Sequence, residues 1–584
     1  MTPKVLFINP PSVPYNSLIK KLADEHTPLT QIISMPMGIL YLSAVLKRDI
    51  PNIEIKVVDL AKAINWFEKD SDRKPIDWDD FILKTLKNEI EADFTPHFVG
   101  ISTLFSTAHK SSIHIAEAAK KRWPGAPIIF GGMHATNAVD ALLAEASIDY
   151  ICRGEGESVI SQFLDHILLK KNAEDIEGII GTQKLHSKTL DSAPLINNLD
   201  EIPFPAWECI DMPSYVFAQS SRLRKIDTIE QDGEATIVTT RGCPFHCTFC
   251  ASWTVHGRKM RYRSTENVVE ELRILKNRYN ATSVTPEDDL FTVKKDRIID
   301  LCNTIYAEFS GTLHFQFPNG LSVATLDEDV IGALIKMGMT IANIAIESGS
   351  PYVQRKIIEK NCNLERAKNV VQHCRDTGVI TRTYFILGFP GETREHMQET
   401  VDFILQLPSD WSVISQAGPL IGTKMYEQLL ERGDIDASFN WDDSSFFDRN
   451  YDTPEISAEE LKDLVYTTNV RVNFFENYNF KIGEYERSIK LWKDILNAYP
   501  HHLIAQYCIG LAYRKMGKKE KAIQALNVCN TMLQGESSEM AQLHYAQFKQ
   551  YMPLIEVSSP IKLPHPSIKQ APRPGMPHEA RRYI

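Results

Sequence analysis

Three closely spaced cysteines constrain this chain more than any other feature of its sequence. Cys243, Cys247 and Cys250 follow an apolar strand predicted at 236–240, and Pro244 keeps the start of their loop from forming a helix. Thiolates at this spacing can ligate three irons of a 4Fe-4S cube and leave the fourth iron open to a small molecule. A structural zinc site is the alternative, but such sites usually offer two close pairs of ligands, and no second pair lies nearby. We therefore interpret the three cysteines as ligands of a reactive iron-sulfur cluster.

Composition indicates a globular protein of several domains. A length of 584 residues exceeds what one core usually supports, so we expect more than one domain. The 64 basic and 75 acidic residues give a formal charge of −11, and no basic block precedes the C-terminal end, which argues against nucleic acid as a partner. The other cysteines are scattered, which indicates a reducing compartment, and we expect a cytoplasmic protein. No apolar run reaches about 18 residues, so neither a membrane span nor an export signal is expected.

The cysteine loop resembles the signature of the radical S-adenosylmethionine (SAM) superfamily, in which an aromatic residue precedes the third cysteine. Phe249 occupies that position, and the resemblance implies that it contributes to the SAM site. The resemblance also implies that the cluster binds SAM at its open iron and reduces it to a 5′-deoxyadenosyl radical, which can take hydrogen from an unactivated carbon. An electron donor such as flavodoxin or ferredoxin is then a required partner.

Residues 1–185 alternate strands with amphipathic helices, which predicts a doubly wound parallel sheet of the Rossmann-like kind. Ligands of such sheets bind outside the carboxyl ends of the strands. The segments at 36–42, 131–135 and 153–157 resemble parts of the cobalamin-binding domain found in one branch of radical SAM enzymes. The resemblance implies cobalamin contacts at Ser102, Thr103, Gly131, Gly132, His134 and Gly154. The cobalt-ligating signature Asp-x-His-x-x-Gly is absent, so we expect no histidine on the lower cobalt face, and a sheet that has lost its cofactor stays an alternative.

A second strand-helix alternation begins after a proline-rich segment at 202–207. Its six strand candidates fit the partial (βα)6 barrel of radical SAM enzymes, whose active site lies at the carboxyl ends of the strands. The predicted strands are Thr236–Thr240, Ser283–Thr285, His314–Phe317, Asn343–Ile346, Tyr384–Leu387 and Val413–Ser415.

Three of these strands end in motifs that resemble the SAM-binding segments of the superfamily. Asp288, within an acidic run at 287–289, is implied as an acceptor for the SAM ammonium, although acidic residues also favour helix N-termini. Glu347 and Ser348 are implied near the ribose or carboxylate, and the turn at 388–392 near the adenine. For Lys360 and Arg382 we favour solvated charges over pairing with a ligand. The cofactor contacts implied in the last turn are Gly388, Gly391 and Glu392.

Two segments that begin at Gly483 and Gly517 repeat at a period of 34, which resembles tetratricopeptide repeats and predicts a helical region that could bind a protein partner. An ordinary helical hairpin that caps the barrel is the alternative. The predicted divisions are a cobalamin-binding-like domain at 1–185, a linker at 186–232, the barrel at 233–450, the helical region at 451–550 and a disordered tail at 551–584.

Together these features predict a cobalamin-dependent radical SAM enzyme. The resemblance favours methyl transfer to a carbon or phosphorus centre of a small metabolite or a lipid-like intermediate. Oxidative cyclisation or rearrangement without methyl transfer, and methylthiolation of RNA or protein, are the alternatives among enzymes. Methylthiolating relatives usually carry further cysteines for a second cluster, and the N-terminal third has only Cys152. A scaffold whose repeats bind a partner is the alternative outside enzymes, and the cysteine triplet argues against it.

Overall fold

The N-terminal part of the chain is an open α/β sheet with helices on both faces. The computed structural model describes residues 2–23, 34–69, 73–183, 190–216, 233–441, 449–534 and 539–555. The strands are Lys4–Asn9 (β1), Glu54–Asp59 (β2), Phe98–Ser102 (β3), Ile128–Gly131 (β4), Tyr150–Cys152 (β5) and Ile179–Ile180 (β6). They lie in the order β2-β1-β3-β4-β5-β6, and only β6 is antiparallel to its neighbour. The helices are Tyr15–Ala23 (α1), Met37–Asp49 (α2), Leu60–Lys69 (α3), Trp78–Glu89 (α4), His109–Arg122 (α5), Met133–Asn137 (α6), Val139–Leu143 (α7) and Ile160–Leu168 (α8).

Burial on both faces explains why these strands are continuous apolar runs. Along β1, Leu6 and Ile8 pack into one core while Val5 and Phe7 pack into another on the opposite face. Parallel sheets covered by helices require this two-sided burial. The predicted doubly wound sheet is therefore confirmed.

The middle of the chain forms a partial barrel of parallel strands in sequential order. The strands and helices in this part are Met212–Val216 (α9), Glu234–Ile237 (β7), Thr240–Arg241 (β8), Trp253–His256 (α10), Arg261–Tyr262 (β9), Thr265–Tyr279 (α11), Ser283–Pro286 (β10), Lys295–Phe309 (α12), His314–Phe315 (β11), Leu321–Ser322 (β12), Glu328–Met337 (α13), Ile341–Glu347 (β13), Leu364–Asp376 (α14), Ile380–Leu387 (β14), Arg394–Gln406 (α15), Trp411–Gln416 (β15) and Lys424–Arg432 (α16). Strands β7, β10 and β11 form one sheet and β12 to β15 form another, while β8 and β9 form a small hairpin.

The third barrel position differs from the single strand predicted at His314–Phe317. There the chain pairs with β10 through β11 and with β13 through β12, and the two pieces are separated by a turn. Pro318 has no N–H for a strand ladder. Gly320 has a φ of +82°, and a left-handed backbone conformation of this kind favours glycine. The turn therefore breaks the strand, and an isolated pairing of Phe315 with Met339 joins the two sheets.

A C-terminal helical region covers the open edge of the barrel at β15. Its helices are Ala458–Val470 (α17), Tyr478–Lys481 (α18), Tyr485–Ala498 (α19), Leu503–Lys515 (α20), Lys519–Gln534 (α21) and Glu539–Phe548 (α22), and a π-helical turn spans Arg471–Phe475. Its apolar core includes Trp411 of β15. The predicted helical architecture is present, while a tetratricopeptide identity stays a prediction.

Side-chain amides from this region bind the backbone of the edge strand. Asn473 is fully buried, accepts from the Ser412 N–H at 2.8 Å and donates to the Ser412 carbonyl at 2.7 Å. Asn469 makes the same pair of bonds to Ile414 at 3.1 and 2.8 Å, and Asn477 donates to the Asp410 carbonyl at 3.1 Å. Asn469, Asn473 and Asn477 are thus spaced four residues apart and bind alternate residues of the edge strand. The amides replace the hydrogen bonds that a further strand would make.

The segment predicted as a linker packs between the two α/β parts. Trp207 and Tyr215 are buried with Leu40 of α2 and Leu275 of α11. Residues 186–189 and 217–232 of that predicted linker, and residues 556–584 of the predicted tail, lie outside the described residues, whereas Met552 packs into the helical core. Within the ranges given above, no helix is long and apolar enough to cross a membrane.

Candidate cofactor sites

The three cysteines lie on a loop that the hairpin β8–β9 closes. Arg241 pairs with Arg261 across this hairpin, so residues 242–260 form a loop whose two ends are held together. Gly242 starts the loop with a φ of +93°, and a Cβ there would lie 2.5 Å from the Lys259 carbonyl oxygen. The Thr248 N–H donates to the Ile358 carbonyl at 3.0 Å, which ties the loop to the segment that follows β13. The loop therefore sits at the carboxyl ends of the barrel strands, where the sequence predicted it.

The thiols of the loop are half-buried and influence one another. Burial raises the pKa of the Cys247 thiol to about 12, an effect that the Lys360 ammonium partly offsets and that Cys243 and Cys250 increase. Burial also raises the pKa of Cys243. Thiols of this kind are protonated until a metal displaces the proton, as metal-coupled ligand sites require. In the described ranges no three His, Cys, Asp or Glu side chains are grouped to hold a single metal ion.

The acidic run after β10 mostly holds the protein's own backbone. Asp288 is buried and accepts from the N–H groups of Thr239 and Thr240 at 2.5 and 2.7 Å, and from the Thr239 hydroxyl at 2.7 Å. Burial raises the pKa of Asp288 to about 6. Asp289 accepts from the Gly242 N–H at 2.9 Å and contacts His256 Nδ1 at 2.8 Å. Asp288 therefore holds the backbone that follows β7 through hydrogen bonds. Its position does not by itself imply a contact with the SAM ammonium.

Glu347 and Ser348 end β13 at the level of the cysteine loop. Glu347 has a φ of +71° and accepts from Lys360 Nζ at 2.9 Å, and both side chains are largely buried. Lys360 is thus paired with a carboxylate rather than solvated. Ser348 is fully buried, and its hydroxyl bonds Thr400 Oγ1 at 3.0 Å and the Ser350 N–H at 3.1 Å. The Ser348 side chain therefore stabilises the turn, and a ligand contact of Glu347 and Ser348 stays a prediction.

The turn after β14 is held from inside by Glu392. Its Oε2 accepts from the N–H groups of Gly388 and Phe389 at 2.7 and 3.1 Å, and burial raises its pKa to about 8. Gly388 has a φ of +85° and Gly391 one of +83°, so both turn positions favour glycine. Phe389 lies 5.7 Å from Phe249 of the cysteine loop between ring centroids. The turn and the loop are therefore adjacent, and Glu392 supports the turn, while its contact with a ligand stays a prediction.

The predicted cobalamin residues gather at the carboxyl edge of the N-terminal sheet. Ser102 and Gly131 are register partners at the ends of β3 and β4, and the Thr103 N–H donates to the Gly131 carbonyl at 2.8 Å. A Cβ on Gly131 would meet nothing within 4 Å, whereas one on Gly132 would lie 2.6 Å from the Thr103 carbonyl oxygen. Gly154 follows β5 and donates to Thr136 Oγ1 at 3.1 Å. At this edge the space beside Gly131 is open, whereas the backbone at Gly132 is tightly packed.

His134 is buried in a pair of imidazoles. Its Nε2 lies 2.9 Å from His109 Nδ1 and its Nδ1 lies 3.0 Å from Ser106 Oγ. Burial lowers the pKa of His134 to about 3 and that of His109 to about 4, so both rings are neutral. Because both ring nitrogens of His134 have hydrogen-bond partners, this side chain has none left for cobalt. Both rings contact Trp441, at 5.6 and 5.0 Å between centroids.

The two carboxyl edges meet around the cysteine loop. Asn137 of α6 donates to Thr254 Oγ1 of α10 at 2.9 Å, directly after the loop. Gly422 approaches the same asparagine so closely that a Cβ would lie 2.2 Å from Asn137 Oδ1. Helix α10, which follows Cys250, therefore packs on the helix that follows Gly132. This arrangement brings the predicted cobalamin edge and the predicted cluster to opposite sides of one interface.

Comparisons with known proteins agree with this arrangement. Residues 237–404 match the model of the radical SAM superfamily, and residues 33–164 match the model of the B12 binding domain. The chain is a radical SAM enzyme with a B12-binding domain.

Three individual proteins are similar to this radical SAM enzyme. An uncharacterized methyltransferase of Pyrococcus horikoshii is 28% identical over 79% of this chain and 90% of its own length. Cytidylyl-2-hydroxyethylphosphonate methyltransferase of Streptomyces wedmorensis is 26% identical over 78% of this chain and 88% of its own length. Among solved structures, the radical SAM methyltransferase TsrM of Kitasatospora setae, with cobalamin and a 4Fe-4S cluster bound, has a TM-score of 0.57 at 17% identity, over 90% of this chain and all of its own. The last likeness shows that the fold is shared.

The residues present fit the cofactors of these domains. The cysteine loop of the radical SAM enzyme offers three half-buried thiols, two of which raise the pKa of the third, and no fourth protein thiol within the loop. At the B12-binding edge, Gly131 faces open space, and Leu104 and Phe105 after β3 are 52% and 45% exposed. Exposed apolar side chains beside an open glycine suit a large, partly apolar ligand.

Sequence reasoning did not find the charged residues that join the two domains. Glu155 and Glu157 of the B12-binding domain lie against Arg241 and Arg261 of the hairpin. In the sequence, the two glutamates stand out only as part of the glycine-containing segment at 153–157 that resembles a cobalamin-binding domain. Contacts of this kind join residues about 100 positions apart, which no local pattern reports.

Proposed function

We propose that this radical SAM enzyme transfers a methyl group to a carbon or phosphorus centre of a small anionic metabolite. The observation that carries the proposal is the meeting of the two carboxyl edges: α10, directly after the cysteine loop, packs on α6 of the B12-binding domain. A substrate between these edges lies within reach of ligands held by either domain. When bound, the cluster and SAM supply a radical that activates the substrate, and cobalamin carries the methyl group.

The protein's own residues orient these groups and keep the site rigid. Cys243, Cys247 and Cys250 would hold the cluster, and the partly buried Phe249, which packs against the buried Phe389, offers an apolar surface for an adenine. The ion pair of Lys360 with Glu347 places both charges at the mouth of the barrel beside Cys247. Ser348, Asp288 and Glu392 fix the backbone around the site through the hydrogen bonds described above, which maintains its geometry during reaction.

One relative supports a small substrate that carries negative charge. The Streptomyces wedmorensis relative is named for a cytidylylated phosphonate, which is an anionic small molecule, and it aligns with most of this chain. A cytoplasmic enzyme supplied with electrons by flavodoxin or ferredoxin, and a protein partner for the helical region, complete the proposal.

The test is the stoichiometry of SAM use. Each methyl transfer consumes one SAM as methyl donor, which leaves S-adenosylhomocysteine, and one SAM as radical source, which leaves 5′-deoxyadenosine and methionine. The reductant supplies two electrons per product, one to cleave the second SAM and one to return cobalamin to the state that accepts a methyl group. Reconstituted enzyme with hydroxocobalamin, a reductant and a panel of phosphonates and their nucleotide esters should therefore form the two nucleosides in equal amounts. A matched reaction without hydroxocobalamin should lose S-adenosylhomocysteine. 5′-Deoxyadenosine formed alone in the complete reaction would reject methyl transfer and favour cyclisation or rearrangement.

A further inference from the structure

Two carboxylates of the B12-binding domain reach the base of the cysteine loop. Glu155 is 2% exposed and accepts from both terminal nitrogens of Arg261, at 2.8 and 2.6 Å, and from the Ile196 N–H at 3.0 Å. Glu157 Oε1 accepts from Arg241 Nη2 at 2.5 Å. Arg241 Nη1 also lies 3.4 Å from Glu155 Oε1. Two carboxylates and two guanidinium groups thus form one compact, charge-balanced network.

The two arginines are the residues that close the cysteine loop. Arg241 and Arg261 face each other across the hairpin β8–β9, and all three thiols lie on the chain between them. The side chains of Arg241, Arg261, Glu155 and Glu157 are at most 8% exposed. Separating such a pair leaves uncompensated charges in a poorly solvated place, so the hairpin and the glutamate segment stay together or are both rearranged. The conformation of the loop is therefore tied to the B12-binding domain.

The glutamates belong to the same short segment as a predicted cobalamin contact. Gly154 directly precedes Glu155, pairs with Ala193 and donates to Thr136 Oγ1 at 3.1 Å. Thr136 follows Gly132 on α6, at the edge where the B12-binding residues gather. A ligand at this edge consequently acts on a segment whose two carboxylates hold the cysteine loop.

We propose that Glu155 and Glu157 are positioning residues through which cobalamin binding orders the cysteine loop before the cluster is inserted. The proposal rests on the proposed function, since it takes the edge at Gly154 as part of the cobalamin site. A ligand shifts a conformational equilibrium only through a difference in affinity between the two states, and here the ordered glutamate segment is the state that it favours. By linkage, insertion of the cluster then strengthens cobalamin binding by the same factor.

The experiment measures amide hydrogen exchange of the metal-free full-length chain under anaerobic conditions, with and without hydroxocobalamin. In the wild type, hydroxocobalamin should slow exchange in peptides covering 243–252 by roughly tenfold, the size of a modest coupling. Glu157→Gln should exchange faster in these peptides without the ligand and should lose most of the protection with it. Glu308→Gln is the matched control, because Glu308 pairs with Arg273 at 2.7 Å on the barrel surface, and it should behave as the wild type does.

The possible outcomes separate this proposal from the proposed function. Hydroxocobalamin that fails to bind the wild type, seen by absorbance, overturns both. Binding that leaves the loop unprotected in the wild type, or that protects the loop of Glu157→Gln equally, overturns the coupling alone. If Glu157→Gln also exchanges rapidly throughout the N-terminal sheet, Arg241→Lys replaces it, because this variant keeps the charge and loses the forked geometry. Weaker protection of the loop in Arg241→Lys supports the coupling, and full protection overturns it.

Discussion

Replacing Asn473 by leucine should destabilise the contact between the helical region and the barrel. The side chain is fully buried, and its amide bonds both the N–H and the carbonyl of Ser412, which is itself only 4% exposed. Leucine has a similar size and no hydrogen-bonding group, so both backbone groups of Ser412 lose their partners in a place that water does not reach. Each unsatisfied buried group costs about 1–3 kcal/mol, which gives a total of about 2–6 kcal/mol.

The assay is calorimetric unfolding together with limited thermolysin digestion of the purified chain. We expect a lower unfolding midpoint and faster cleavage within residues 458–555 in Asn473→Leu. The unfolding midpoint of Asn473→Asp should lie between those of the wild type and Asn473→Leu, because an ionised carboxylate can still accept from the Ser412 N–H but cannot donate to the Ser412 carbonyl. Thr467→Ala on the preceding helix α17 is the control, since its hydroxyl bonds the Asp463 carbonyl of its own helix at 2.7 Å. An Asn473→Leu midpoint equal to that of Thr467→Ala would refute the asparagine ladder as the element that holds the edge strand.

Three further predictions concern the cofactor sites. Cys247→Ala should bind less iron than the wild type after anaerobic reconstitution and lose SAM cleavage, because a thiolate ligand is missing; full iron content by colorimetric assay would contradict this. Burial raises the pKa of Glu392 from 4.5 to about 8, so its protonated carboxyl stabilises the fold fully below pH 4.5 and this stabilisation is lost as the pH rises to 8. The unfolding midpoint of Glu392→Gln should therefore fall less over that interval than the midpoint of the wild type, and parallel profiles in the two proteins would contradict this. Electron paramagnetic resonance of bound cobalt(II) cobalamin should lack nitrogen hyperfine splitting in the wild type and in His134→Ala, and a splitting that disappears in the variant would show that His134 ligates cobalt.

The sheet and the barrel could be predicted because their signals are local. Strands buried on both faces, such as β1 and β3, are apolar runs bounded by turns, and the cysteine spacing identified the loop without any tertiary information. The break between Phe315 and Leu321 does not follow from the apolar pattern, and Pro318 and Gly320 are the residues that indicate it.

The direction in which a buried carboxylate points could not be predicted. Asp288 and Glu392 lie at strand ends, as ligand-binding acids would, yet each accepts backbone N–H groups of its own domain. A sequence gives the position of an acidic residue and not the partner of its carboxylate, since that partner depends on how the chain folds back. The pairing of Glu157 with Arg241, 84 residues away, could not be predicted for the same reason.

The most direct measurement of the central claim follows the methyl group itself. Enzyme reconstituted with iron, sulfide and hydroxocobalamin is incubated with SAM that carries a trideuterated methyl group, a reductant and a substrate from the phosphonate panel, and the product is analysed by mass spectrometry. We predict a product that contains the intact trideuteromethyl group, formed together with equal amounts of 5′-deoxyadenosine and S-adenosylhomocysteine. A modified product without deuterium, accompanied by 5′-deoxyadenosine alone, would contradict methyl transfer and leave a radical SAM reaction of another kind.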